Sequence, residues 1–154
     1  MAFSIRSPAF AHGASIPARY TCDGENVSPP LEWGDIPPEA ESLALIVDDP
    51  DAPLFTWVHW LVYDMPADRT ALPENVPPQE VLDDGTRQGT TSFRRIGYGG
   101  PCPPGRRPHR YHFRLYALDT APDLPPGAKK RALTAILQSH LLATAETMGA
   151  YARR

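Results

Sequence analysis

Basic surplus, lysine, cysteine and long apolar runs are all scarce in this 154-residue chain. Lys and Arg together number 15 against 18 Asp and Glu, a formal net charge of −3, so the chain lacks the cationic excess of a nucleic-acid-binding surface. Only Lys129 and Lys130 are lysines; the other cations are arginines, a bias that reads as genomic composition rather than phosphate recognition. No apolar run approaches the ~18 residues that cross a bilayer. The opening stretch MAFSIRSPAFAHGAS holds no continuous apolar core of a signal peptide. These absences predict a cytoplasmic protein with no membrane span. Two cysteines, Cys22 and Cys102, are too few for a disulfide scaffold or an all-cysteine zinc site. Proline is in excess: 19 residues, spread from Pro8 to Pro126. That density excludes long helices over most of the chain and favours short strands joined by turns. The length fits one domain, residues 1–154, large enough to bury about two thirds of its unfolded surface.

Three strands are legible. SLALIVDDP (42–50) is a short continuous apolar run stopped by acids and proline. TWVHWLVYDMP (56–66) is apolar on both faces, which marks a central strand; strict alternation puts Trp57, His59, Leu61 and Tyr63 on one side and Val58, Trp60 and Val62 on the other. In HRYHFRLYALD (109–119), His109, Tyr111, Phe113 and Leu115 face inward while Arg110, His112 and Arg114 face solvent. Near the end, Leu133, Ile136, Leu137, His140, Leu141, Thr144 and Met148 follow the i, i+3, i+4 spacing of a helix, with Gly149 as its stop. Lys129, Lys130 and Arg131 in its first turn oppose the helix dipole, so this helix depends on packing. The expected architecture is mainly β: an antiparallel β-sandwich with a C-terminal helix laid on it.

His59 and His109 each lie in phase with an apolar strand face and beside a glycine- or proline-rich loop. Two readings stand: core histidines satisfied by backbone partners, or donors at the wall of a pocket. His109 and His112 are three apart on a strand and face opposite ways, so they cannot share a metal. There is no H-x-H, H-E-x-x-H or G-x-S-x-G motif, and GYGGPCPPG precedes no helix, so no metal, nucleotide or other cofactor is expected. His140 reads as part of the helix's buried stripe and His12 as surface.

YTCDGENVSPPLEW, DPDAP followed by TWVHW, GYGGPCPPG followed by HRY, and the terminal HLLATAETMGAY occur in this order between Tyr20 and Tyr151. Together they resemble the phosphatidylethanolamine-binding protein family, in particular its bacterial and archaeal, Raf kinase inhibitor-like branch. The resemblance implies Greek-key connections and a small pocket at one end that binds phosphate-like anions or phosphorylated head groups. It implies a non-catalytic binding module whose partners would be such a ligand, a kinase or protease target and, in a homodimer, a second copy of itself. By motif, the pocket wall would comprise Asp49, Pro50, Trp57 and His59 from the first loop and Gly100, Pro101, Pro103, His109 and Tyr111 from the second. Backbone N–H groups near Gly99 and Gly100, the imidazoles and the Tyr111 hydroxyl would supply donors, with Asp49 orienting a histidine and Asp51 holding its loop. Two alternatives stand beside this: an interaction module with a vestigial pocket, and a hydrolase or phosphodiesterase using His59 and His109 as acid and base. The resemblance further implies that Cys22 and Cys102 approach within the roughly 7 Å that a disulfide needs. Three departures from the family pattern fall around the pocket: Leu54–Phe55 where glycine is common, TTSFRR (90–95) in place of an Asn-Asp pair, and Arg106–Arg107 ahead of His109.

Overall fold

The computed structural model describes residues 2–153. Along the chain these form β1 (Ser4–Arg6), β2 (Leu31–Gly34), β3 (Ser42–Asp49), β4 (Trp57–Pro66), β5 (Ala71–Leu72), β6 (Arg87–Gln88), β7 (His109–Leu118), α1 (Lys130–His140) and β8 (Leu141–Tyr151). A small sheet has the order β1-β2-β5 and a large one β6-β4-β3-β7-β8, with all strand pairs antiparallel. In the large sheet β3, β4 and β6 are successive neighbours and β7 returns beside β3, which is the Greek-key order.

All eight residues of β3 are buried because both sheet faces are covered. On one side Leu43, Leu45, Val47, Phe113 and Leu115 pack against Ile5, Leu31, Trp33 and Leu72 of the small sheet. On the other, Ala44, Ile46, Leu61 and Tyr63 pack under Leu133 and Leu137 of α1. No side chain caps the start of α1 and no acid stands in its first turn. Burial of Leu133, worth about 1.5–3 kcal/mol, is therefore a principal anchor of the helix.

Four sequence expectations are corrected here. Strict alternation fails in β4 because the β3 register slips between Val47 and Asp48: Val47 pairs with Trp60, and Asp48 with Val58. His59 is thus the extra residue of a bulge. Val58 joins Leu61 and Tyr63 under the helix, while Trp60 and Val62 join the sandwich core. Second, the helix ends at His140, and the residues with apparent helical spacing beyond it form β8, paired with β7 from Leu118↔Leu141 to His109↔Tyr151. The exposed edge of β7 is a stronger determinant than local helix preference. Gly149 is accordingly no helix stop: a Cβ there would lie 2.5 Å from Ile16 Cγ1, so glycine lets the N-terminal segment close over this strand. His140 is not core either; it is half-exposed, with Nδ1 2.8 Å from Asp119 Oδ1.

Candidate functional site

Three strand ends meet at one end of the sandwich: the C-terminus of β3 with Asp49, and the N-termini of β4 and β7 with Trp57, His59, His109 and Tyr111. Together with the 50–56 turn, Phe93 and the proline loop they enclose a cavity of about 350 Å³. Asp49 is buried; its Oδ2 lies 2.6 Å from His109 Nδ1 and its Oδ1 accepts the Asp51 N–H at 2.8 Å. One carboxylate thus orients the ring and folds the turn. Asp51 grips Arg110 through the backbone N–H, Nε and Nη2 at 2.8, 2.9 and 2.8 Å, and these bonds draw its carboxyl down to about 2. The loop-holding role expected for Asp51 is the one its contacts describe.

His59 donates from Nδ1 to the Gly99 carbonyl at 2.6 Å, between the edges of Phe93 and Tyr111 at centroid distances of 5.3 and 5.2 Å. Burial holds this imidazole below its ordinary titration range despite the nearby Asp49 and Asp48. At neutral pH it is uncharged, its one N–H is spent on Gly99, and Nε2 is an acceptor. The sequence-based expectation that His59 donates to an anion is therefore reversed. Tyr111 is buried, and its hydroxyl has no hydrogen-bond partner among the described residues. Burial first, then Asp49 and Asp51, raise its pKa, so the proton stays on.

Six of the nine expected wall residues line the cavity: Asp49, Trp57, His59, Pro103, His109 and Tyr111. Pro50, Gly100 and Pro101 do not. Pro50 is an exposed turn residue. Gly100 packs so closely on the 20–26 segment that a Cβ would sit 2.2 Å from the Tyr20 carbonyl, and the Pro101 carbonyl accepts the Cys22 N–H at 3.0 Å. The expected backbone donors are also engaged elsewhere, Gly99 N–H on His59 O at 2.9 Å and Gly100 N–H on Asn26 Oδ1 at 2.8 Å. What remains facing the cavity is mostly apolar: Ala52, Pro53, Leu54, Phe55, Phe93 and Pro104, with Phe55 stacked on Trp57 and Phe93 edge-on to Trp57. Phe93 was not foreseen; its only sequence signal is a lone aromatic in the otherwise polar TTSFRR. Cys102 also lines the cavity, and its bond to Cys22 closes at a Cα separation of 5.3 Å, within the expected limit. Leu54 stands where the family pattern has glycine and adopts φ +76°, with the residue 99% exposed. That left-handed backbone costs a non-glycine residue about 1–2 kcal/mol.

Comparison with known proteins decides the lineage. The family model described as "Phosphatidylethanolamine-binding protein" matches residues 6–152. The chain belongs to this family. Among its relatives is a UPF0098 protein of Methanothermobacter thermautotrophicus, 51% identical over 97% of this chain and 99% of that one. A UPF0098 protein of Aquifex aeolicus is 44% identical over 97% and 88%. Among solved structures, the phosphatidylethanolamine-binding protein homologue of Chlamydia trachomatis superposes with a TM-score of 0.90 at 39% identity, covering 99% of both chains. YbcL of Escherichia coli, described as a member of the mammalian PEBP family, gives 0.89 at 32% identity with the same coverage. Within this family member the polar groups gather at the back of the cavity and the aromatic and aliphatic groups at its mouth. Among the described residues no helix is long and apolar enough to cross a membrane.

The depressed titration of His59 sets a pH dependence of stability. A histidine whose folded pKa lies below its unfolded value of ~6.5 contributes full stability above that value and loses it as pH falls. The expected slope below pH ~6.5 is about 1.4 kcal/mol per pH unit while the folded ring stays neutral. Urea unfolding at pH 7 and pH 5.5 should show it, and His59→Asn, which keeps a donor toward Gly99, should flatten it. An unchanged slope in that variant would place the titrating group elsewhere.

Proposed function

We propose that this protein is a non-catalytic binding module whose cavity takes a phosphate-like or phosphorylated head group. The observation that carries this reading is the buried Tyr111 hydroxyl, unpartnered beside the Asp49–His109 pair. An unmade bond of this kind costs about 1–3 kcal/mol and persists in a fold only against some compensation. The head group must satisfy three atoms of different character. Tyr111 O–H donates, His109 Nε2 donates when that ring is protonated, and His59 Nε2 accepts. A singly protonated phosphate monoester offers acceptors and one O–H together, and its second ionisation lies near pH ~6. Affinity therefore falls from pH ~6 toward pH ~8, as the ligand loses the proton that His59 Nε2 would accept.

Among the described residues no serine or threonine lines the cavity and its one cysteine sulfur is bonded to Cys22, which argues against covalent catalysis by a hydroxyl or thiol nucleophile. The interaction-module reading, with a kinase or protease target at the mouth, draws on Leu54 and Phe55, which are 99% and 57% exposed.

Tyr111→Phe is the discriminating variant. It removes the orphan hydroxyl alone, so stability should hold or rise while affinity for phosphoethanolamine falls about tenfold, the equivalent of one net hydrogen bond. Calorimetric titration at pH 6 and pH 8, with urea unfolding alongside, reads both. Wild type and Tyr111→Phe binding equally at pH 6 would return the hydroxyl and both histidines to a packing role.

A further inference from the structure

On the far side of the Phe55–Trp57 stack lies a second depression, a cleft of about 800 Å³. The two residues of the stack belong to both walls, so the cavity and the cleft are neighbours across a single aromatic partition. The cleft differs in chemistry. Arg94 from the TTSFRR loop and Lys129 and Arg131 from the start of α1 converge on it. All three are exposed, and none has a carboxylate within salt-bridge distance among the described residues. Asp48, the acid that Lys130 of the cleft wall reaches, is buried and shared between Arg114 at 3.0 Å and Lys130 at 2.9 Å. Ser92 adds a hydroxyl that accepts the Val58 N–H at 2.8 Å, which leaves its own proton to give.

Local stability opposes this placement. Cations in the first turn of a helix face the positive end of its dipole, and acids are the stabilising choice there. Arg94 also adopts φ +63°, an unfavourable backbone for arginine. Like charges gathered against local preference, in a chain of net charge −3, mark a place kept for a negative group rather than for folding.

We propose that the cleft is an anion subsite for the distal part of the cavity's ligand. That ligand is then an extended dianion, with one phosphate-type group in the histidine cavity and a second anionic group, phosphate or carboxylate, beyond the Phe55–Trp57 stack on Arg94, Lys129 and Arg131. This rests on the cavity reading above.

The test is calorimetric titration of hexyl phosphate and of α,ω-alkane bisphosphates of increasing chain length. The proteins are wild type, the cleft variant Arg94→Gln/Lys129→Gln/Arg131→Gln and a charge-matched rim control, Arg95→Gln/Arg106→Gln/Arg107→Gln. At least one bisphosphate should bind wild type tenfold or more tightly than the monophosphate. The cleft variant should lose that gain yet bind the monophosphate as before, and the rim control should keep the gain. Equal binding of mono- and bisphosphates by wild type would overturn the subsite, and so would a gain lost equally in the rim control, which marks diffuse attraction. If hexyl phosphate does not bind wild type at all, the cavity reading fails, and inorganic tripolyphosphate then judges the cleft alone. Tripolyphosphate retained by wild type and lost by the cleft variant supports an anion site; no difference between them overturns it.

Discussion

Reducing the Cys22–Cys102 bond is expected to lower the unfolding free energy by about 4 kcal/mol while leaving the native fold in place. The two cysteines are 80 residues apart, and the chain-entropy relation for a loop of that size gives about 4.5 kcal/mol at ~25 °C. Most of this acts on the unfolded chain, which gains freedom once the bond opens. The folded state keeps other ties between the same segments: Cys22 N–H on Pro101 O at 3.0 Å, Tyr98 O–H on Tyr20 O at 2.7 Å, and Gly100 N–H on Asn26 Oδ1 at 2.8 Å. The cavity wall carrying Pro103 and Pro104 therefore keeps its place, and ligand affinity should change much less than stability. Urea unfolding with and without a dithiol reductant, and of Cys22→Ser/Cys102→Ser, measures the effect. A loss below about 1 kcal/mol, or free thiols at both positions in air-oxidised protein, would show that the bond contributes little.

The strands that carry the site were legible because they are doubly buried. Apolar runs at 42–50, 56–66 and 109–119 correspond to β3, β4 and β7 within a residue at most ends. The strands of the small sheet, two to four residues each, are too short to show a period. The β4 bulge escaped because it belongs to the pairing: nothing within TWVHW says that Val47 will sit opposite Trp60 and Asp48 opposite Val58. β8 escaped because its buried face, Ala145, Thr147 and Gly149, is small and shows no apolar alternation while Leu141, Thr144 and Met148 mimic a helical stripe; only the free edge of β7 decides for a strand.

At the site, the two histidines, Asp49 and Tyr111 singled out by motif position line one cavity, but the direction of their hydrogen bonds was not legible. Gly99 and Gly100 looked like anion-binding backbone, yet both N–H groups serve the loop's own closure. His59 looked like a donor to ligand, yet its N–H is given to Gly99 and burial keeps Nε2 bare. Donor and acceptor roles are tertiary facts. They depend on which carbonyl a distant loop delivers, a matter that no spacing encodes.

The same dependence on tertiary neighbours governs the ion cluster that ties α1 to the sheet beneath the cleft. Asp48, with its side chain 3% exposed, is shared by Arg114 and Lys130, whose side chains are 31% and 33% exposed. The exposed ends of the cations are cheap to lose singly, since the remaining partner still neutralises the acid. Arg114→Met or Lys130→Met alone should cost about 1 kcal/mol, because each cation is partly exposed and the other stays on Asp48. Removing both leaves a buried carboxylate with no counter-charge, and the double variant should lose about 3 kcal/mol or more, beyond the sum of its parts. Asp48→Leu added to that double variant should recover most of the loss, because a buried ion cluster replaced as a whole by apolar groups is close to neutral. Urea unfolding of the four variants against wild type measures the coupling. Additive single losses with no recovery on adding Asp48→Leu would mean that packing of the long side chains, and not neutralisation of Asp48, holds the helix in place.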